Sequence, residues 1–286
     1  MHSTAHRAAV LLTAALTLLL TALPASASPR PGPPPAELQV MAYNIHHGAG
    51  VDGVLDLERV ARVIEESGAD VVGLQEVDRH FGARSEDVDQ ARWLARRLRM
   101  HVTFGANLDL EPAPGSTHRR QYGTAILSRF PILESQNHLL TSIPYPERPT
   151  EQRGLLHAAI NVRGTTVDVW STHLDHQRAE QRISQAREIV ELTSGTADRP
   201  GFLVGDLNAT AETTEVRLLA EAGFADPFAG SGPEGWTYPA EAPRSRIDYV
   251  LGRGVSSWQD PVVLATTASD HRPVLVTVEV PRPARG

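Results

Sequence analysis

The 286-residue chain contains no cysteine. That excludes disulfides, thiolate metal sites and a lipid-modified N-terminal cysteine, so stability must come from a packed core. Lysine is absent too: all 27 basic residues are arginine. Beside the plentiful Ala, Pro and Gly, this reads as a coding bias rather than selection for phosphate-gripping guanidiniums. The apolar run from Ala8 to Leu23 falls short of the roughly 20 residues a membrane-spanning helix needs, and three threonines interrupt it. With His2, His6 and Arg7 before it and Pro24 and Ala25-Ser26-Ala27 after it, the run has the pattern of a secretory signal. Residues 1–27 are therefore predicted to be cleaved and the rest to be extracellular. Residues 28–36 form a Pro-rich, stiff tether, and 37–281 are expected to fold as one large α/β domain, since no repeat or second linker divides them. The net charge of −7 excludes a polyanion binder by bulk charge, so an anionic substrate must meet a local site, with a metal cation to help.

What the chain does have is a set of apolar strand-like runs that stop at polar side chains. Phe202-Leu203-Val204-Gly205 ends in Asp206-Leu207-Asn208, and period-two alternation sends the acid and the amide to the same side. Taken alone, that string could equally be a capped turn. Val40 to Asn44, Val71 to Glu76, Val167 to His173 and Ile247-Asp248-Tyr249-Val250 repeat the pattern, and Ser269-Asp270-His271-Arg272-Pro273 precedes a last strand. Between them, Asp56 caps a predicted helix with an apolar stripe at Leu57, Val60, Ala61 and Ile64, ending before Gly68. Further helices are expected over 87–99, over 178–193 with a stripe at Ala179, Ile183, Ala186 and Val190, and near 213–222. The arginines on the 87–99 helix read as a solvated face. Residues 107–120 and 141–154 read as rim loops, 155–162 with 165–173 as a hairpin about Arg163-Gly164, and Trp236-Thr237-Tyr238-Pro239 as part of a strand-rich last third.

Asn44, Glu76, Asp206, Asn208, Asp248 and Asp270 are all oxygen donors, which suits Mg²⁺, Mn²⁺ or Ca²⁺ better than Zn²⁺. His173 and His271 stand beside acids at strand ends. A hard cation, carboxylates and histidine fit phosphoryl chemistry. Ser-His-Asp acyl transfer is the competitor by residue type, but there is no Gly-x-Ser-x-Gly elbow and it leaves Asn44 and Glu76 without a task.

Asn44 after a strand, Leu74-Gln75-Glu76-Val77, Tyr122-Gly123 with Ala125 to Arg129, Ser171-Thr172-His173-Leu174, Gly205-Asp206-Leu207-Asn208, Arg246-Ile247-Asp248-Tyr249 and Ser269 to Pro273 together resemble the motif series of the endonuclease/exonuclease/phosphatase superfamily, the deoxyribonuclease I-like fold. The resemblance spans about residues 37 to 280. It implies a four-layer α/β sandwich: two mainly antiparallel sheets flanked by helices, with the site at one end. By motif, Asn44, Glu76 and Asp270 would hold or orient the metal; Asp206 would activate or position water, and Asn208 would bind phosphate. Asp248 would orient His271, and Tyr122 and His173 would complete the phosphate pocket, His173 near the departing oxygen as its proton donor. His46 and Arg153 are further candidates for phosphate contact. His46 stands where some nucleases of the family carry Arg and abasic-site endonucleases an acid; His173 stands where the abasic-site enzymes carry Asn. Both point away from DNA repair, toward secreted nucleases, phospholipid phosphodiesterases and phosphoinositide phosphatases. The expectation is a secreted, divalent-metal-dependent phosphodiesterase acting on nucleic acid or a phospholipid head group, monomeric and without a stable protein partner. The alternatives are an inositol-phosphate-type phosphomonoesterase or a non-catalytic binding module.

Overall fold

The structure is a computed structural model and describes residues 34–147, 149–255 and 257–283. The proposed signal and most of the tether lie outside the described residues.

Eleven strands form two sheets. In the first, β1 (Ala36–Asn44) lies parallel to β2 (Val71–Arg79) and antiparallel to β11 (Val274–Val280); β10 (Trp258–Val263) continues one side. On the other side β4 (Arg120–Ser128) and β3 (His101–Leu110) follow, giving the order β10-β11-β1-β2-β4-β3. The second sheet runs β5 (Ile132–Leu139), β6 (Gly154–Val162), β7 (Thr165–His173), β8 (Gly201–Asp206), β9 (Asp248–Arg253), antiparallel except for the parallel pair β7 and β8. Val40, Val71, Ile126, Val274 and Val276 of the first sheet meet Leu156, Ile160, Val169, Phe202, Val204 and Val250 of the second in a shared core. The outer face of the first sheet is covered by α1 (Leu57–Ser67) and α2 (Gln90–Leu98), that of the second by α3 (Ala179–Ser194) and α4 (Thr214–Glu221), each with its own apolar cluster. This is the four-layer sandwich expected from the resemblance.

Each parallel pair brings two strand C-termini to the same end. Asn44 is paired with Gln75, and His173 with Asp206. The antiparallel strands β4, β9 and β11 begin at that end and bring Tyr122, Asp248 and the Ser269–His271 segment with them. Connectivity alone thus gathers the polar strand ends.

Several local expectations are modified. Asp56 does cap α1, accepting from the backbone N–H of Glu58 and Arg59 at 3.0 and 3.1 Å, and Gly68 closes it at φ +75°. The second helix starts three residues late, capped by Asp89, because Glu86 and Asp87 sit in left-handed turns. Residues 107–110 are not loop: the β3–β4 ladder continues to Leu110 opposite Arg120. Trp236 to Pro239 is not a strand but a loop touching Ser245 through one isolated bridge. The buried face of α3 is rotated from the apolar stripe and carries Gln181, Gln185, Ala186, Ile189 and Thr193. The glutamines are buried because they satisfy loop backbone: Gln181 accepts from Ile143 N–H and Gln185 from Asp175 N–H, both at 3.0 Å. The arginine face of α2 is partly used, since Arg97 grips Glu58 and Glu65 of α1.

Two glycines set the spacing beneath the strand ends. A Cβ on Gly73 would stand 2.2 Å from Val204 Cγ2, so the sheets touch closely there. Gly205 has φ +152°, and a Cβ on it would stand 2.0 Å from the Thr172 carbonyl oxygen. Because that neighbour is backbone, Gly205→Ala is expected to cost about 2 kcal/mol or more, read as a lowered denaturant midpoint. A midpoint equal to that of the unaltered chain would show that β7 and β8 can part without penalty.

Candidate active site

The gathered strand ends form the floor of a cleft of about 570 Å³. At its centre is Asp206. Its register partner across β8 and β9 is Asp248, so two buried carboxylates point the same way from neighbouring strands. His271 lies between them: its Nδ1 is 2.9 Å from Asp248 Oδ2 and its Nε2 3.7 Å from Asp206 Oδ2. Burial pulls this imidazole down, but Asp248 and Asp206 outweigh it and raise it to about 10, so His271 is a cation held by two acids. Burial, and then Asp248, push the Asp206 carboxyl up to about 7. Its oxygens are nevertheless well held, since Asn208 N–H donates to Oδ1 at 2.9 Å and Asn44 Nδ2 to Oδ2 at 3.1 Å.

Glu76 enters from the other sheet through a β-bulge. Leu74 pairs with Ala125 and Val77 with Gly123, leaving Gln75 and Glu76 together opposite one residue, with Glu76 at φ +58°. The bulge divides their tasks. Gln75 stays fully buried and donates to Ser171 Oγ of the facing sheet at 3.0 Å, while Glu76 turns into the cleft. Asn44, also fully buried, donates through the same Nδ2 to Glu76 Oε1 at 3.1 Å, and its Oδ1 accepts from His46 N–H. Asn44 therefore ties Glu76 to Asp206 from behind rather than presenting an oxygen to the cleft. Asp270 lines the cleft, 3.8 Å from His46 Nδ1, and Ser269 donates to the Asn44 carbonyl at 2.7 Å.

His173 reaches the cleft from the end of β7. Its Nε2 lies 3.4 Å from Asp206 Oδ2, yet burial, followed by the facing Arg153 and His271, holds the ring well below its ordinary pKa. It is a neutral imidazole on the Asp206 side of the cleft. Tyr122 is buried and its phenol is pushed well above its ordinary pKa by that burial and by Glu76, so it remains a hydrogen-bond donor. Asn208 faces the cleft from a left-handed backbone (φ +49°), its Nδ2 anchored on the Leu174 carbonyl at 3.1 Å. Arg153, 2 % exposed, reaches the cleft while paired with Glu151 and 3.3 Å from His176 Nδ1.

Sequence reasoning passed over His47, Phe81, Arg84, His176 and Tyr238, all of which line the cleft. Tyr238 lays its ring 4.6 Å from that of His271. Arg84 donates from Nε and Nη2 to the two carboxylate oxygens of Asp78 and stacks 4.1 Å over Phe81. The adjacent histidines at 46–47 and the Thr-His-Leu-Asp-His string were the available signals for two of the five. The other three sit on loops whose local sequence carries no period.

The Endonuclease/Exonuclease/phosphatase family pattern matches residues 41–271. The chain belongs to this family. Enzymes of this family are generally hydrolases of phosphoester bonds and usually use a divalent metal ion. A solved endonuclease/exonuclease/phosphatase structure from Beutenbergia cavernae is similar over 85 % of this chain and 72 % of its own, with 27 % identity and a TM-score of 0.73. The mannosyl-6-phosphatase Bt3783 of Bacteroides thetaiotaomicron shares the fold at 20 % identity and a TM-score of 0.60, over 84 % of this chain and 99 % of its own. Protein cwh43 of Schizosaccharomyces pombe is 26 % identical over 184 residues, 61 % of this chain but 17 % of that protein, so this chain spans a small part of that relative's length.

The raised Asp206 carboxyl gives a pH signature. A carboxyl whose folded pKa lies above its ordinary value contributes stability that is present below about pH 4 and lost as pH rises toward 7. Asp206→Asn removes that dependence. In metal-free protein the variant is expected to gain thermal midpoint relative to the unaltered chain between pH 4 and 7, while losing hydrolysis. A midpoint difference that stays flat across this window would mean that Asp206 is ionised throughout.

Proposed function

We propose that the chain is a secreted, divalent-metal-dependent phosphodiesterase acting on a small phosphodiester head group, with phospholipid-type head groups preferred to nucleic acid. The observation that carries this reading is the size and charge of the cleft. A volume of about 570 Å³ lies in the range of small-ligand sites. Its guanidiniums are already matched, Arg84 by Asp78 and Arg153 by Glu151, and His271 is matched by two acids. That balance favours a monoanionic diester over a dianionic monoester. Around the rim, Arg119 is tied to Asp109 and Glu111, Arg120 to the Glu111 carbonyl, and Arg178 to Glu147. Tracking a nucleic-acid backbone calls for cations free to replace its counterions, and these are committed elsewhere. Secretion rests on the pattern of residues 1–27.

The donor set fits a hard cation. Glu76, Asp206 and Asp270 bring three carboxylates to one cleft, and the Asn44 amide joins two of them, a concentration of negative charge that His271 alone does not balance. Glu76 and Asp270 would hold the ion, with Asn44 fixing Glu76; a bound ion supplies charge neutralisation at a non-bridging phosphoryl oxygen. The chain's own groups do the rest. Asp206, titrating near neutrality and braced by Asn44 and Asn208, takes the proton of the attacking water. The His271 cation, fixed by Asp248, and the neutral His173 bind phosphoryl oxygen on that same side, and Tyr122 donates from the first sheet.

Release assays with Mg²⁺ on plasmid DNA, a sphingomyelin-type phospholipid, a soluble glycerophosphodiester and an inositol phosphate test the substrate class. Head-group release from the diesters, abolished by chelation, is expected. Plasmid cleavage matching diester turnover would favour a nuclease, and turnover of the inositol phosphate alone a phosphomonoesterase.

The position of His173 is tested by leaving-group dependence. General-acid help is worth about 10²- to 10⁴-fold and is needed for an alkoxide but hardly for a nitrophenolate. On the water side, His173→Ala should lower kcat/KM equally on alkyl and nitrophenyl diesters. A loss confined to the alkyl ester would put it back at the departing oxygen.

A further inference from the structure

Outside the cleft, a second group of metal-capable side chains stands where two loops meet. His80 directly follows β2, Asp87 precedes α2, and His118 lies in the β3–β4 connection. One ligand atom from each lies within 4.8 Å of the others; the two imidazoles are stacked at 4.1 Å with 14° between their planes, so holding one ion together requires the exposed His118 ring to turn its in-plane lone pair toward that of His80. Asp87 and His118 border a hollow of about 500 Å³ whose lining also includes Glu86 and no arginine, so the local charge favours a cation. Arg84, in the same loop, is drawn away by Asp78.

The arrangement of His80 is that of a prepared ligand. Its Nδ1 is 2.7 Å from the Asp87 carbonyl oxygen, a bond in which Nδ1–H donates, leaving the Nε2 lone pair for an ion. Its backbone is fixed too, at φ +52°, with N–H bonded to the Val88 carbonyl at 3.1 Å. Two imidazoles and one carboxylate suit a borderline ion of the Zn²⁺ kind, in contrast to the oxygen-rich cleft.

We propose that His80, Asp87 and His118 form a second metal site, for Zn²⁺ or a similar transition ion, that clamps the β3–β4 connection to the β2–α2 loop. That loop supplies Phe81 and Arg84 to the cleft, so the clamp braces one cleft wall without sharing a ligand with the floor.

The experiment uses the secreted chain with Mg²⁺ in excess to fill the cleft, and titrates Zn²⁺ calorimetrically. The unaltered protein should bind one more equivalent of Zn²⁺ than His80→Ala/His118→Ala. Asp87→Asn, which keeps the shape and removes the charge, should weaken that equivalent about 10- to 100-fold. Zn²⁺ should also slow proteolysis within residues 111–119 in the unaltered chain and not in the double variant. Since His118 and Asp87 are exposed and His80 half-buried, the variants should keep their Zn²⁺-free thermal midpoints and Mg²⁺-dependent hydrolysis. Equal Zn²⁺ stoichiometry in the unaltered chain and the double variant, or protection of 111–119 in both, would overturn the proposal.

Discussion

Asp206 and Asp248 are buried side by side at the end of one sheet, and most of the site's architecture answers the repulsion between them. Two carboxylates out of water are tolerable only with opposite charge or strong donors close by. His271 is inserted between them, its Nδ1 on Asp248, and Asn208 and Asn44 donate to Asp206. Even so, Asp206 remains reluctant to ionise. With a third acid arriving from the opposite sheet, the cleft concentrates negative charge that a bound cation would relieve.

The fold makes this crowding possible without a dedicated binding loop. Each sheet contains a single parallel pair, and the four strands in those pairs all finish at the same end. Close approach at Gly73 and Val204 then brings the ends within reach, and the Gln75–Ser171 bond ties the sheets just beneath the acids. Asn44 acts as a strut, joining an acid of one sheet to an acid of the other.

Much of this was legible in the chain, for identifiable reasons. Strand ends at Asn44, His173 and Asp206 are written as apolar runs stopped by polar residues, and the Asp56 cap and Gly68 stop are local chemistry that tertiary contacts did not override. The features that escaped depend on three-dimensional placement. The bulge that separates Gln75 from Glu76 has no glycine to announce it. The buried face of α3 is polar because two glutamines serve loop backbone, which defeats a reading by hydrophobic period. The neutrality of His173 and the cationic state of His271 come from neighbours distant in sequence, so two histidines in similar strand-end contexts differ in charge. Arg84 and Tyr238 act from loops, where sequence has no periodic signature.

The cleft has a floor of strand ends and walls of loops, and the two are built to different tolerances. The floor is locked by sheet register and by contact between the sheets, so few substitutions there leave the geometry intact. The walls at 80–89, 140–147, 149–153 and 236–247 are held instead by single hydrogen bonds and ion pairs, such as Arg84 to Asp78, Ile143 N–H to Gln181 and Ala240 N–H to the Asp270 carbonyl. Such a division lets lineages diverge in what they cleave while inheriting how they cleave it. It also means that re-engineering selectivity is a problem of loop transplantation, in which the hydrolytic machinery can be carried over unaltered.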